Sequence, residues 1–319
     1  MLLLRIAETL LPIILLVALG AALFKASFLQ PADRSILDRL VYWVCLPSLL
    51  VVKIAEAGTI DPSIGWVILA MALVTLAAAG LSAAAWYFLS REPATFGVMI
   101  QAGFRGNLAF VGLPVIKLAG ADDRTLAIAA LTLAPTIALY NLLAVPVLSA
   151  GTRHNASLDP TAVHPAIDLL RSIVTNPFII ACLVGLAMGA SPLTPPEILM
   201  TTLGLVGQPA APLALISLGG ALTIYRVRSH LALASVITTI KLAVCPALAV
   251  LLAWALNLDS QQAFALIMLA AVPTAVASYV LVTQIGGDEG LAASIIATTT
   301  LASVISLAAG LAVVHAWPT

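Results

Sequence analysis

Charge is scarce in this sequence: fourteen basic and fourteen acidic residues in 319, 9% of the chain. That balance gives no net field to draw in nucleic acid or acidic partners. At 62% hydrophobic, the chain is too apolar for an ordinary soluble domain, which leaves repeated membrane spans. Histidines are few, and His154, His164, His230 and His315 fall in expected loops or span ends. No Gly-x-Ser-x-Gly, His-Glu-x-x-His or P-loop pattern occurs, so hydrolysis and ATP-driven pumping lack their machinery. An enzyme is not expected. Cys45, Cys182 and Cys245 stand singly in apolar runs and read as packing residues, with no metal or cofactor implied.

What is present is a series of apolar runs divided by charged or turn-rich breaks. They predict ten spans, near residues 7–24, 36–55, 64–90, 94–120, 125–149, 172–190, 197–222, 230–257, 261–287 and 290–315. The first could pass for a signal peptide with Arg5 as its charged end. It has a partner later in the chain, which makes it a retained span. The longest polar interval, "GTRHNASLDPTAVHPAIDLLRS", separates five spans from five, and its "HPAIDLLRS" end predicts a short interfacial helix.

The two halves resemble each other. "LPIILLVALGAAL" (11–23) aligns with "NPFIIACLVGLAM" (176–188), pairing Pro12 with Pro177 and Gly20 with Gly185 at an offset of 165. The same offset pairs Pro47 with Pro212, and an offset of 166 lays "AGADDRTLAIAAL" on "IGGDEGLAASIIA". The expected organisation is a first repeat at 1–150, a central cytoplasmic loop at 151–171 and a second repeat at 172–319. Five spans per repeat force the copies to enter the membrane in opposite directions. Lys25, Arg34, Arg39, Arg91, Arg153, Arg171, Arg226 and Arg228 collect on one side of this plan, against Arg5, Lys53 and Arg124, with Lys117 near a span end. The richer side is predicted to be cytoplasmic, with both termini outside.

Two disruptions stand out. "GFRGNLAFVGLP" interrupts span four with Gly106, Gly112 and Pro114, and its midpoint is Asn107; "AVPTAVASYV" interrupts span nine at Pro273 and Thr274. At an offset of 166, Asn107 falls on Pro273. Matched mid-depth breaks point to a transporter site built from discontinuous helices. Pro273 and Pro114 should disturb the carbonyls of Leu269 and Phe110. Gly106 and Gly112 should permit unusual backbone angles. Asn107 can cap a resumed helix and still offer its amide to a ligand. The alternative is that such prolines only kink or pack membrane helices.

Arg105 lies at the first break, and no Asp or Glu occupies the middle of any span. Its guanidinium therefore either snorkels into a water-filled cavity or awaits an anionic ligand. Lys241 raises the same question in span eight, with its facing direction open. Gln101, Tyr140, Asn141, Gln208, Ser278, Tyr279, Thr283 and Gln284 are the other polar span residues. Each reads first as interhelical glue.

"GNLAFVGLPVI", "VPTAVASYVLVTQIGGD", "LPSLLVVKIAEA" and "NPFIIACLVGL" together resemble the auxin efflux carrier family, which includes plant auxin exporters and many bacterial carriers. The resemblance covers essentially the whole chain, and its Asn-x-x-x-x-Gly-x-Pro segment (Asn107, Gly112, Pro114) is fairly specific. The short central interval looks like the bacterial branch. The resemblance implies ten spans in two inverted five-helix repeats, a scaffold domain and a transport domain, and spans four and nine crossing at their breaks. It also implies that Asn107 contacts a substrate carboxylate. Family members often place a second asparagine after the span-nine proline, where this chain has Thr274 and Ala275. Bacterial relatives are associated with small carboxylates such as malonate or malate.

The expectation is thus an all-α polytopic protein of the cell membrane, in the bacterial inner membrane, carrying a small organic anion by alternating access. Asn107, Arg105, Thr274, Ser278 and Tyr279 are the expected binding residues; Gly106, Gly112, Pro114 and Pro273 shape the breaks. The bilayer is a partner, a homodimer is compatible with the plan, and no nucleic acid is involved. The same architecture serves sodium–proton antiporters and bile-acid-type sodium symporters, so coupling stays open. A non-transporting ligand sensor is the other alternative, and the short tail after the last span favours transport over it.

Overall fold

The computed structural model describes residues 2–57, 62–152, 175, 177–191, 195–224 and 230–317. The expected interfacial helix, Arg153, Arg171, Arg226 and Arg228 lie outside the described residues. Among the described residues regular structure is helical throughout. Helix α1 is Leu2–Lys25; α2, Pro31–Leu40, runs through a π turn, Val41–Cys45, into α3, Leu46–Ala57; α4 is Ile64–Leu89. Helix α5, Pro93–Phe104, stops at a break and resumes as a π turn, Leu108–Gly112, leading into α6, Leu113–Leu118. Then come α7, Asp123–Thr152, and α8, Pro177–Ala190, followed by α9, Glu197–Gly207, and α10, Ala210–Ile224. Helix α11, Leu231–Thr239, passes through a π turn, Ile240–Val244, into α12, Cys245–Ala255. A second break separates α13, Ser260–Ala270, from α14, Ala277–Ile285, before α15, Glu289–His315.

Among the described residues, six helical stretches are long and apolar enough to cross a membrane: Pro31–Glu56, Ile64–Leu89, Asp123–Gly151, Glu197–Thr223, Leu231–Ala255 and Glu289–His315. Leu11–Lys25, Leu108–Leu118, Ile180–Ala190 and Ser260–Ala270 are shorter apolar helices. Large apolar side chains such as Phe88, Ile198, Trp254 and Ile305 point outward, as lipid requires.

The three π turns share a cause. Each precedes a proline by two residues: Pro47, Pro114 and Pro246. A helical proline collides with the carbonyl four residues back, here Trp43, Phe110 and Leu242. Each of those is the central residue of a π turn, where the widened backbone moves the carbonyl aside. The Leu242 carbonyl, whose α-helical donor position is occupied by Pro246, accepts the Ser306 hydroxyl at 2.8 Å.

Packing gathers the helices into two groups, which meet where α3 packs on α7. Helix α1 lies along α10, and α3 along α8 and α9; α4, α5, α7, α11, α12, α13 and α15 pack chiefly on one another. Helix α1 meets α10 at Gly20 and Gly219, where an added Cβ would come within 2.1 Å of the Ile216 carbonyl oxygen and 2.0 Å of the Val17 carbonyl oxygen respectively. Without a hydrophobic drive between helices in lipid, such close backbone contact supplies much of the attraction.

Polar contacts gather at both ends. Lys53 binds Glu56 and Asp123 at 2.7 and 2.9 Å, Arg124 binds Asp259 at 3.0 Å, and Gln262 donates to Ser63 at 2.7 Å. At the other end His230 and Asp288 approach to 3.1 Å, and the Asp288 N–H donates to the Ala94 carbonyl at 3.0 Å.

Candidate functional site

Helix α5 ends at Phe104 because Arg105 turns extended, with φ −78° and ψ 90°. Helix α13 ends at Ala270, and the chain straightens through Pro273. Each interruption frees backbone N–H and C=O groups in an apolar interior, where every one needs a partner. The two interruptions supply those partners to each other. The Asn107 N–H donates to the Pro273 carbonyl at 2.8 Å, and the Ala275 N–H donates to the Arg105 carbonyl at 2.8 Å. Gly106 and Thr274 thereby face each other in an antiparallel bridge.

Glycine is required at position 106 by proximity rather than by backbone angle. Its φ is not positive, yet a Cβ there would meet Val272 at 2.9 Å and Lys241 Nζ at 3.2 Å. Gly112 and Pro114 lie past the break, at the end of the π turn and in the first turn of α6. Asn107 does not cap the following turn with its side chain. Its carbonyl instead accepts the Val111 and Gly112 N–H groups, which leaves the amide to other work.

A cavity of about 430 Å³ adjoins the bridge. One wall comes from α2 and α10, with Arg34, Asp38, Arg39 and Ser217. The facing wall comes from the first break and α7, with Arg105, Asn107, Tyr140 and Asn141. The starts of both resumed helices, at Leu108–Phe110 and Ala275–Ala277, reach the same space. Three arginines against one aspartate give it positive potential, focused by apolar walls. Asp38 is already engaged, by Arg34 at 3.4 Å and by the Ser217 hydroxyl.

Arg105 has no carboxylate partner among the described residues. Nη2 donates to Asn141 Oδ1 at 3.0 Å, while Nη1 is buried without a hydrogen-bond partner. The Tyr140 hydroxyl is likewise buried, and lies against the Gly106 backbone and the Thr75 hydroxyl. The free arm of Arg105 is a donor, and an acceptor is what it lacks.

The five expected binding residues separate. Arg105 and Asn107 line the cavity; Thr274, Ser278 and Tyr279 do not. Thr274 ties the break shut: its hydroxyl donates to the Ala102 carbonyl at 2.8 Å, and its N–H to Thr299 Oγ1 at 3.3 Å. Ser278 is buried, with its carbonyl held by Gln101 Nε2 at 3.0 Å. Tyr279 sends its hydroxyl to Glu289 at 3.2 Å. Sequence reasoning passed over Arg34, Asp38, Arg39 and Ser217. The signal was the Arg34/Asp38 pair spaced i, i+4 at the start of a span, which also suits an interfacial anchor.

A family model described as membrane transport protein matches residues 5–309. An uncharacterized transporter of Methanothermobacter thermautotrophicus is 27% identical over 304 residues, covering 94% of this chain and 95% of that relative. A protein of Rhizobium meliloti that carries the provisional name of malonate transporter is 27% identical over 284 residues, covering 85% of this chain and 84% of its own.

Proposed function

The chain belongs to the membrane transport protein family, that of the auxin efflux carriers it resembles, and from that premise we propose that it is a secondary carrier of a small organic anion, a carboxylate of the size of malonate or malate. One observation carries the proposal: a half-buried arginine, Arg105, faces a cavity with one guanidinium arm buried and unpartnered, and no carboxylate among the described residues neutralises it. A carboxylate would satisfy that arm and the Asn107 amide together. The relative named for malonate supports the substrate class.

In this reading ten spans form two inverted repeats, 1–150 and 172–319 about the 151–171 loop, and spans four and nine cross at the bridge. Repeat-related contacts support it. Gly20 contacts α10 through Ile216, and Gly185, its mate at offset 165, contacts α3 through Ile54, the mate of Gly219. At offset 166, Asp122 accepts the Thr125 N–H at 2.9 Å and Asp288 the Leu291 N–H at 2.8 Å. Helices α1–α3 and α8–α10 are the scaffold, against which the remaining bundle rocks, alternately exposing the bridge. The cavity opens toward the end bearing Arg34 and Arg39, the cytoplasmic end under the positive-inside rule.

The test is solid-supported-membrane electrophysiology of reconstituted protein with mono- and dicarboxylates. A carboxylate-dependent current that Arg105→Met removes is the expected result. Absence of both current and thermal-shift binding across the panel would sink the anion reading.

A further inference from the structure

Lys241 lies outside the cavity and is only 1% exposed. An ammonium so placed needs a partner to be tolerated, yet no carboxylate pairs with it among the described residues. Its Nζ donates instead to the Ala270 carbonyl at 3.2 Å. Ala270 is the last residue of α13, so this carbonyl belongs to the negative end of a helix dipole that the second break leaves open. The same Nζ sits 3.2 Å from where a Cβ on Gly106 would stand, directly behind the centre of the bridge. The π turn Ile240–Val244 carries the lysine there, since the inserted residue re-aims the side chains of that stretch. Carriers with broken helices often meet such carbonyl ends with a bound sodium ion.

We propose that Lys241 is a built-in counter-cation of the second break: its ammonium holds the carbonyl end of α13 where a sodium ion would otherwise bind, so the bridge assembles without an inorganic cation. The inference does not depend on which anion the cavity carries, and its test uses no substrate. Full-length protein in detergent is melted, followed by tryptophan fluorescence, in sodium chloride and in choline chloride at equal ionic strength. The wild type melts at the same temperature in both salts. Lys241→Arg keeps most of that stability, whereas Lys241→Met, similar in shape but neutral, melts lower by about 4 °C or more. In Lys241→Ala, n-propylammonium replaces the atoms removed from Cγ to Nζ and raises the melting temperature more than n-propanol does. A sodium-specific stabilisation of the wild type would overturn the proposal. So would a methionine variant as stable as the wild type, or propanol rescuing as well as propylammonium. Should Lys241→Ala fail to fold, the arginine and methionine variants decide the matter alone.

Discussion

Asn107 and Pro273 are joined by a 2.8 Å hydrogen bond from the backbone N–H of the first to the carbonyl of the second. Proline has no N–H to offer, so it can enter such a bridge only as the acceptor, and Asn107 is the residue that answers it. Because the bond uses backbone, the Asn107 side chain is released toward the cavity. Architecture and ligand contact are thus divided between two parts of one residue.

That division makes Asn107→Ala a clean separation. The bridge bond survives, and the buried amide that is lost borders a cavity rather than anchoring a helix, so melting should fall by only about 2–4 °C, on the order of 1 kcal/mol. Carboxylate affinity should fall roughly 10- to 100-fold, the loss expected for one hydrogen bond to a charged ligand. Thermal shift and transport current, measured on the same preparation, check both halves; undiminished uptake would remove Asn107 from the site.

Gly106→Ala should do the reverse, damaging the scaffold of the bridge first. The new methyl would press on Val272 at 2.9 Å and on Lys241 Nζ at 3.2 Å. Overpacking of this kind costs about 1–3 kcal/mol. Adding Val272→Ala should recover part of the lost melting temperature, because it clears the nearer contact. A double variant no better than the single one would place the strain elsewhere.

The two breaks were legible in the sequence because proline, glycine and asparagine at mid-span contradict the apolar pattern around them. The offset set Asn107 opposite Pro273, and a backbone hydrogen bond joins those two residues. The roles after the breaks were not. Thr274, Ser278 and Tyr279 follow Pro273 closely, but a resumed helix turns its residues through 100° each, and composition does not reveal which of them meets the cavity. Arg34 and Asp38 were hidden for the opposite reason, since charges near a span end are ordinary. The π turns were also invisible, although the prolines that cause them were in view: the choice between a kink and a widened turn depends on what receives the displaced carbonyl.

Ser306 is one such receiver. Its hydroxyl satisfies the Leu242 carbonyl at 2.8 Å, so Ser306→Ala strands a buried acceptor and should cost about 1–3 kcal/mol. Ser306→Thr keeps the hydroxyl and should lose less. Melting of the two variants side by side tests this, and equal losses would assign the effect to packing.

Asp122 supplies a pH dependence. Burial pushes its carboxyl upward, but hydrogen bonds from Thr125 and Gln261, together with the Arg124 charge, outweigh that and hold it below the usual carboxylate range. A depressed folded value means that stability is fully present above the unfolded value of about 4 and disappears as pH falls through the lowered one. The residue is exposed, so the contribution is below about 1 kcal/mol. Asp122→Asn should therefore melt slightly lower than wild type at pH 7, with the gap closing below about pH 4; a gap that widens in acid would contradict the assignment.

Lys53 and Asp123 meet at 2.9 Å between α3 and the start of α7, two elements that the proposed cycle moves against each other. They lie at the end opposite the cavity mouth, so in the proposed cycle this contact can form only while that end is closed. The side chains are 24% and 52% exposed, which limits the pair to less than about 1 kcal/mol. A latch of that size suits a carrier, because a two-state equilibrium shifted by about 1 kcal/mol still visits both states within roughly a factor of five. Asp123→Asn should release the end and let the cavity close more often. The readout is labelling of Val280→Cys, a cavity-lining position, by a bulky polar maleimide. Labelling should slow by up to about fivefold in Asp123→Asn and recover when Lys53→Asp is combined with Asp123→Lys. Unchanged labelling in both variants would mean that the two ends are not coupled through this contact.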